Sequence, residues 1–156
     1  MFPIPEKYKL TTGSGEGDTA LTAFDAALLD AGLGNYNLVK LSSILPPGAR
    51  PSDRLREEVP PGSLLPVAYG FITSDQPGQV ISAAVAVGLT GTTYGLIMEH
   101  KAAAPLAETR RQVTEMVREG LARRGLPARD ILATGVECRV SQGKTACAFA
   151  AIAMWK

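Results

Sequence analysis

An alternating apolar run, Asn35 to Leu41, ends on two adjacent serines, Ser42 and Ser43, shortly before Pro46 and Pro47. Those prolines cannot extend a paired strand, so the serines fall at a strand end or turn. Hydroxyls in such a place have two uses. They hydrogen-bond the local backbone, as turn serines commonly do. Alternatively, one hydroxyl attacks the carbonyl before it, the chain breaks there, and the protein acquires an electrophile of its own making.

Other familiar chemistries find no residues. His100 is the single histidine, so a Ser-His-Asp hydrolase could run only through it, and no Gly-x-Ser-x-Gly elbow is present. The same count leaves no metal-ligand spacing, and no metal is expected. Gly13-Ser14-Gly15-Glu16-Gly17 is glycine-rich but lacks a Lys-Ser/Thr ending, and Glu16 and Asp18 would repel phosphate. It reads as a flexible turn.

The elements that must position the serines follow from period and punctuation. Lys7 to Thr12 reads as a short strand entering the glycine turn. Asp18 or Thr19 caps a helix to about Ala31, with Leu21, Phe24, Leu28 and Ala31 as its apolar stripe and Gly32 as its stop. Asp25 stands at the border of that stripe and Asp30 points well away. Residues 50–62, charged and proline-bounded without a sustained period, read as an exposed connection.

Strands are expected at 64–74, 79–89 and 93–101, the middle one apolar on both faces as if covered on both sides. A second helix spans about 105–124, starting on Pro105 and burying Leu106, Val113, Met116, Val117 and Leu121. Strands 130–140 and 145–155 close the chain around a glycine-containing loop. Two helices covering two packed sheets make an α+β fold, a layered αββα sandwich, in one domain over residues 1–156. The alanine-rich last strand lets layers approach closely and suggests burial between subunits.

With 46% hydrophobic and 20% charged residues in 156, the chain can bury one domain core and is too short for two. A net charge of +1, with Lys and Arg spread out, gives no footprint for nucleic acid. The N-terminal residues lack signal-peptide character and no run is long enough for a membrane span, so a cytoplasmic protein is expected. Cys138 and Cys147 sit in apolar strands and read as buried free thiols.

Taken together, ordered blocks carry a resemblance: Gly-Glu-Gly-Asp-Thr at 15–19, Leu-Thr-Ala-Phe-Asp-Ala-Ala-Leu-Leu at 21–29, Gly-Asn-Tyr-Asn-Leu-Val-Lys-Leu-Ser-Ser-Ile-Leu-Pro-Pro at 34–47, Tyr-Gly-Phe-Ile at 69–72, Gly-Leu-Ile-Met-Glu at 95–99 and Cys-Ala-Phe-Ala-Ala at 147–151. From about Lys7 onward the chain resembles the pyruvoyl-dependent arginine decarboxylases. The match is loosest at 50–62 and 90–93.

The resemblance implies self-cleavage between Ser42 and Ser43 into a β chain (1–42) and an α chain (43–156). Ser43 attacks the Ser42 carbonyl, passes through dehydroalanine and becomes a covalent pyruvoyl group; Ser42 keeps the new carboxylate. Asn37 matches the position implicated in processing, where an amide can donate to a carbonyl gaining charge. The implied reaction is L-arginine to agmatine and CO2, through a Schiff base with the pyruvoyl carbonyl and without PLP. Glu99 matches the proton donor. It ends an apolar strand, where burial would raise its pKa. Asp25 matches the acid that holds the substrate guanidinium.

The implied assembly is a homotrimer of cleaved protomers, or a pair of trimers, with sites between neighbouring subunits. Each residue also has an ordinary reading: a solvated strand-end Glu99, a boundary acid at Asp25, an edge amide at Asn37. Two alternatives stand beside the main one. One is a pyruvoyl decarboxylase of another amino acid, such as histidine or aspartate, although Asp25 would repel an acidic side chain. The other is a non-catalytic, uncleaved oligomeric relative.

Overall fold

Strand β1 (Lys7–Gly17) pairs antiparallel along its whole length with β9 (Thr145–Trp155) in a computed structural model that describes residues 3–156. Met1 and Phe2, the start of the N-terminal segment expected to lack signal character, lie outside the described residues. The glycines expected to form a turn are therefore the second half of β1. Their role is clearance. Gly13, Gly15 and Gly17 share one face of the strand, and helix α1 (Ala20–Asp30) lies on it. A Cβ at Gly13 would stand 2.1 Å from the Ala27 carbonyl oxygen, and one at Gly15 2.6 Å from the Ala26 Cβ.

Thr19 caps α1: its Oγ1 accepts from the Thr22 N–H, and the Thr22 Oγ1 accepts from the Thr19 N–H, both at 3.1 Å. The close approach to glycine sets which helix face is buried. Ala23, Ala27, Leu28 and Ala31 go inward, whereas Leu21, expected in the stripe, is 75% exposed. Asp30, expected to point well away, accepts from the Ser14 N–H at 2.9 Å. Replacing Gly13 with alanine should cost about 1–3 kcal/mol, because backbone, not a flexible side chain, blocks the new methyl. A urea unfolding midpoint that falls accordingly checks this; an unchanged midpoint would show that α1 can slide off β1.

The apolar run before the proline pair is divided. Strand β2 (Asn37–Lys40) pairs parallel with the start of β5 (Leu64–Ser74), while β3 (Ile44–Leu45) pairs antiparallel with β7 (Gly95–Ala102). The connection at 50–62 holds more structure than its charges suggested. Strand β4 (Arg50–Pro51) runs parallel to β1, and the one-turn helix α2 (Leu55–Glu58) buries Leu55. Glu58 accepts from Lys7 Nζ at 2.8 Å and Trp155 Nε1 at 2.7 Å, which ties this segment to both ends of the described chain.

The first sheet has the order β2-β5-β9-β1-β4 and the second β3-β7-β6-β8, with β6 at Val80–Leu89 and β8 at Asp130–Arg139. Helix α1 covers the outer face of the first sheet, and α3 (Leu106–Arg123) that of the second. The αββα sandwich is as expected. Strand β6 is buried on both faces: Ile81, Val85 and Val87 meet the other sheet, and Ala84 and Ala86 meet α3. The alanines of β9 are likewise buried inside the protomer, 148 and 150 between the sheets and 151 and 153 under α1. Their small size serves packing within the chain, not contact between subunits.

Candidate active site at the crossing between the sheets

Strand β2 covers the edge of β5 only as far as Val67, and the chain then leaves the first sheet for the second. Two backbone bonds bracket the crossing. The Leu41 N–H donates to the Val67 carbonyl at 2.9 Å, and the Ile97 N–H donates to the Ser43 carbonyl at 2.7 Å. Between them lies the peptide bond joining Ser42 to Ser43. Ser42 is exposed and Ser43 half-buried. Strain of the kind a left-handed backbone stores is absent from the linkage: among the described residues, positive φ occurs only at glycines. What distinguishes it is that both flanks are anchored, each to a different sheet.

Glu99 stands two residues along β7 from Ile97, on the same strand face by the two-residue period. Its side chain lies against Gly70 of β5, where a Cβ would meet the Glu99 Cγ at 3.1 Å. Burial pushes its carboxyl above the ordinary carboxylate pKa; the charges of Lys40 and Lys101 and a backbone hydrogen bond act in the opposite direction. It is thus a half-buried acid near two cations, not a solvated strand end. His100 faces the other way, into a recess beneath α3 bordered by Glu108 and Gln112. It cannot serve as the partner of Glu99.

Where β2 stops, the bare edge of β5 brings aromatic rings to the same region. Lys40 Nζ sits 4.7 Å above the centroid of Tyr69, and Lys101 Nζ 5.5 Å from that of Phe71. Phe24 of α1 packs on Phe71 at 4.5 Å and Tyr69 at 6.4 Å. Asp25 follows Phe24, is exposed, and has no ion pair or hydrogen bond among the described residues. At i−4 and i+4 from it, Leu21 and Leu29 are 75% and 55% exposed.

Asn37 is elsewhere. It opens β2, and its Nδ2 donates to the Gly62 carbonyl at 2.8 Å. Strand β2 carries the chain from it to Lys40, two residues short of Ser42. Within a protomer the fold therefore groups Ser42, Ser43 and Glu99, sets Asp25 on the neighbouring helix, and leaves Asn37 at the far end of its strand.

Lys40 and Gly70 were not singled out from sequence. Gly70 carried one usable signal, a glycine inside a strand, which often marks close approach of another group. Lys40 carried none, because its relation to Glu99 spans two sheets. No group of three or more His, Cys, Asp or Glu among the described residues is arranged to hold a metal ion. No described helix is long and apolar enough to cross a membrane.

A family model described as pyruvoyl-dependent arginine decarboxylase matches residues 7–156. The chain is 44% identical to the pyruvoyl-dependent arginine decarboxylase of Methanocaldococcus jannaschii, over 99% of its own length and 92% of the relative's. It is 42% identical to the protein of that name from Pyrococcus furiosus, over 97% of its length and 96% of the relative's. A Methanococcus aeolicus protein of that name is also 42% identical, over 99% and 92%.

Proposed function

Because the chain belongs to the pyruvoyl-dependent arginine decarboxylase family, we propose that it divides itself between Ser42 and Ser43 and decarboxylates L-arginine to agmatine. The observation that carries this is the crossing itself: an unpaired Ser-Ser peptide held at both flanks, with a half-buried acid two residues along the strand that anchors it.

The Ser43 hydroxyl attacks the Ser42 carbonyl carbon, the C–N bond breaks, and an ester joins the two residues. Elimination then releases the Ser42 carboxylate and leaves dehydroalanine at residue 43, which water converts to a pyruvoyl group with loss of ammonia. The surroundings fit that group. After the break, the Ser43 carbonyl bond to Ile97 keeps the new terminus on the second sheet, and Leu41 keeps the other end on the first. Once formed, the pyruvoyl group supplies the electron sink for the departing carboxylate.

The chain's own residues do the rest. Glu99, whose pKa burial raises, returns a proton to the substrate α-carbon. Asp25, unpaired among the described residues, receives the guanidinium through charge-assisted hydrogen bonds. The Asn37 amide is engaged with the Gly62 carbonyl of its own protomer, so its donation to the attacked carbonyl is assigned to a linkage across a subunit boundary. Leu21, Leu29, Val39 and Leu64, all exposed around α1 and the β2–β5 edge, supply apolar surface for that boundary. The assembly is taken as a trimer of cleaved protomers, or two such trimers.

Intact mass of the purified protein, read together with CO2 release from arginine, tests the proposal. Two fragments, 1–42 and 43–156, and agmatine are expected. A persistent single chain that releases no CO2 would overturn it. Asp25→Asn should leave the fragments unchanged and raise the KM for arginine roughly 10- to 100-fold, the loss of a hydrogen bond between charged groups. An unaltered KM would remove Asp25 from substrate recognition.

A further inference from the structure

At the end of the sandwich beyond Leu45, the segments at 46–51 and 89–95 border a cavity of about 320 Å³ that the decarboxylation chemistry does not use. Tyr8 reaches it from β1. The residue is 3% exposed, yet its hydroxyl has no hydrogen-bond partner among the described residues. Because no buried polar side-chain atom among the described residues is left unsatisfied, that oxygen is accessible, and the cavity borders it. A tyrosine hydroxyl buried to this degree ordinarily finds a partner.

Arg50 and Arg129 line the same cavity, and neither forms an ion pair among the described residues. Arg129 lies against Gly91: a Cβ there would stand 3.0 Å from its Cδ and 3.3 Å from Nη1, and Gly91 has φ +77°. Thr92 and Thr93 add two hydroxyls, and no carboxylate among the described residues lines the wall. Burial keeps the Tyr8 hydroxyl protonated above its ordinary range, with the Arg129 charge opposing and the nearby Asp130 charge reinforcing that shift. The lining side chains thus offer two guanidinium cations and hydroxyls able to donate.

We propose that this cavity binds a small oxyanion, a phosphate or a carboxylate-bearing metabolite, through the Tyr8 hydroxyl and the guanidinium groups of Arg50 and Arg129. Guanidinium forks match both anions in bidentate geometry, and the volume suits a ligand of that size. The site is separate from the Ser42–Ser43 linkage, since Leu45 and its pairing with Gly95 stand between them.

Titration calorimetry of the purified, assembled protein with inorganic phosphate and with citrate, against sodium chloride at matched ionic strength, tests this. Saturable binding of either probe is expected, with the Kd raised roughly tenfold or more in both Arg129→Gln and Tyr8→Phe. Whichever probe saturates identifies the source class. Arg129 is exposed and Phe keeps the ring of Tyr8, so a thermal melt showing both variants folded makes the comparison decisive. No saturation by either probe, or an unchanged affinity in either variant, would overturn the site.

Discussion

Ser43→Ala yields one uncleaved chain and no decarboxylation of arginine above background. On the proposed route the substitution removes both the oxygen that attacks the Ser42 carbonyl and the atoms from which the electrophile is made, so the two losses cannot be separated. Ser42→Ala provides the contrast. In the proposed division Ser42 contributes a carbonyl and a leaving carboxylate, neither of which needs its side chain, and that side chain is exposed. Fragments 1–42 and 43–156 should still appear. Denaturing electrophoresis with intact mass reads both variants, and cleavage in Ser43→Ala would show that another residue is the nucleophile.

Glu99→Gln separates making the electrophile from using it. The chain still divides, because no step of the division is assigned to Glu99, while turnover falls by roughly 10²- to 10⁴-fold, the usual worth of a positioned proton donor. The pH profile gives the sharper readout. Burial raises the Glu99 pKa, so the proton-bearing form persists above the ordinary carboxylate range and is lost as pH rises through the raised value. Activity should decline along that limb.

Lys40 favours the ionised form of Glu99 and so holds the pKa down. Lys40→Met should therefore move the limb to higher pH while the profile keeps its shape. In Glu99→Gln the limb should vanish. A limb that stays in place in both variants would belong to a different group.

Local signals carried much of the architecture. Strand β6 was legible as a doubly covered strand because Val80 to Val87 is apolar at every position but Ser82, and it is buried against both the opposite sheet and α3. Helix α3 was legible because Val113, Val117 and Leu121 recur at helical spacing between Pro105 and Gly125; all three are buried. The glycines at 13, 15 and 17 misled, since glycine marks a turn and a tight interface equally well in sequence. Only the helix lying 2.1 Å from a would-be Cβ distinguishes the two.

Residue type and order alone determined which groups this protein has for chemistry: a Ser-Ser pair ahead of two prolines, one histidine, Glu99 at a strand end and Asp25 on a helix border. They also determined the layered fold, because hydrophobic period is a local property that survives without knowledge of partners. Tertiary structure decided what those groups meet. It split one apolar run between two sheets, so that Ser42 and Ser43 span the gap, and it set Glu99 against Gly70 with Lys40 nearby. It also turned His100 away and left Asn37 bonded to Gly62. Such relations depend on strand pairing between residues far apart in the chain, and a pKa or a hydrogen bond belongs to an environment that no single stretch of sequence contains.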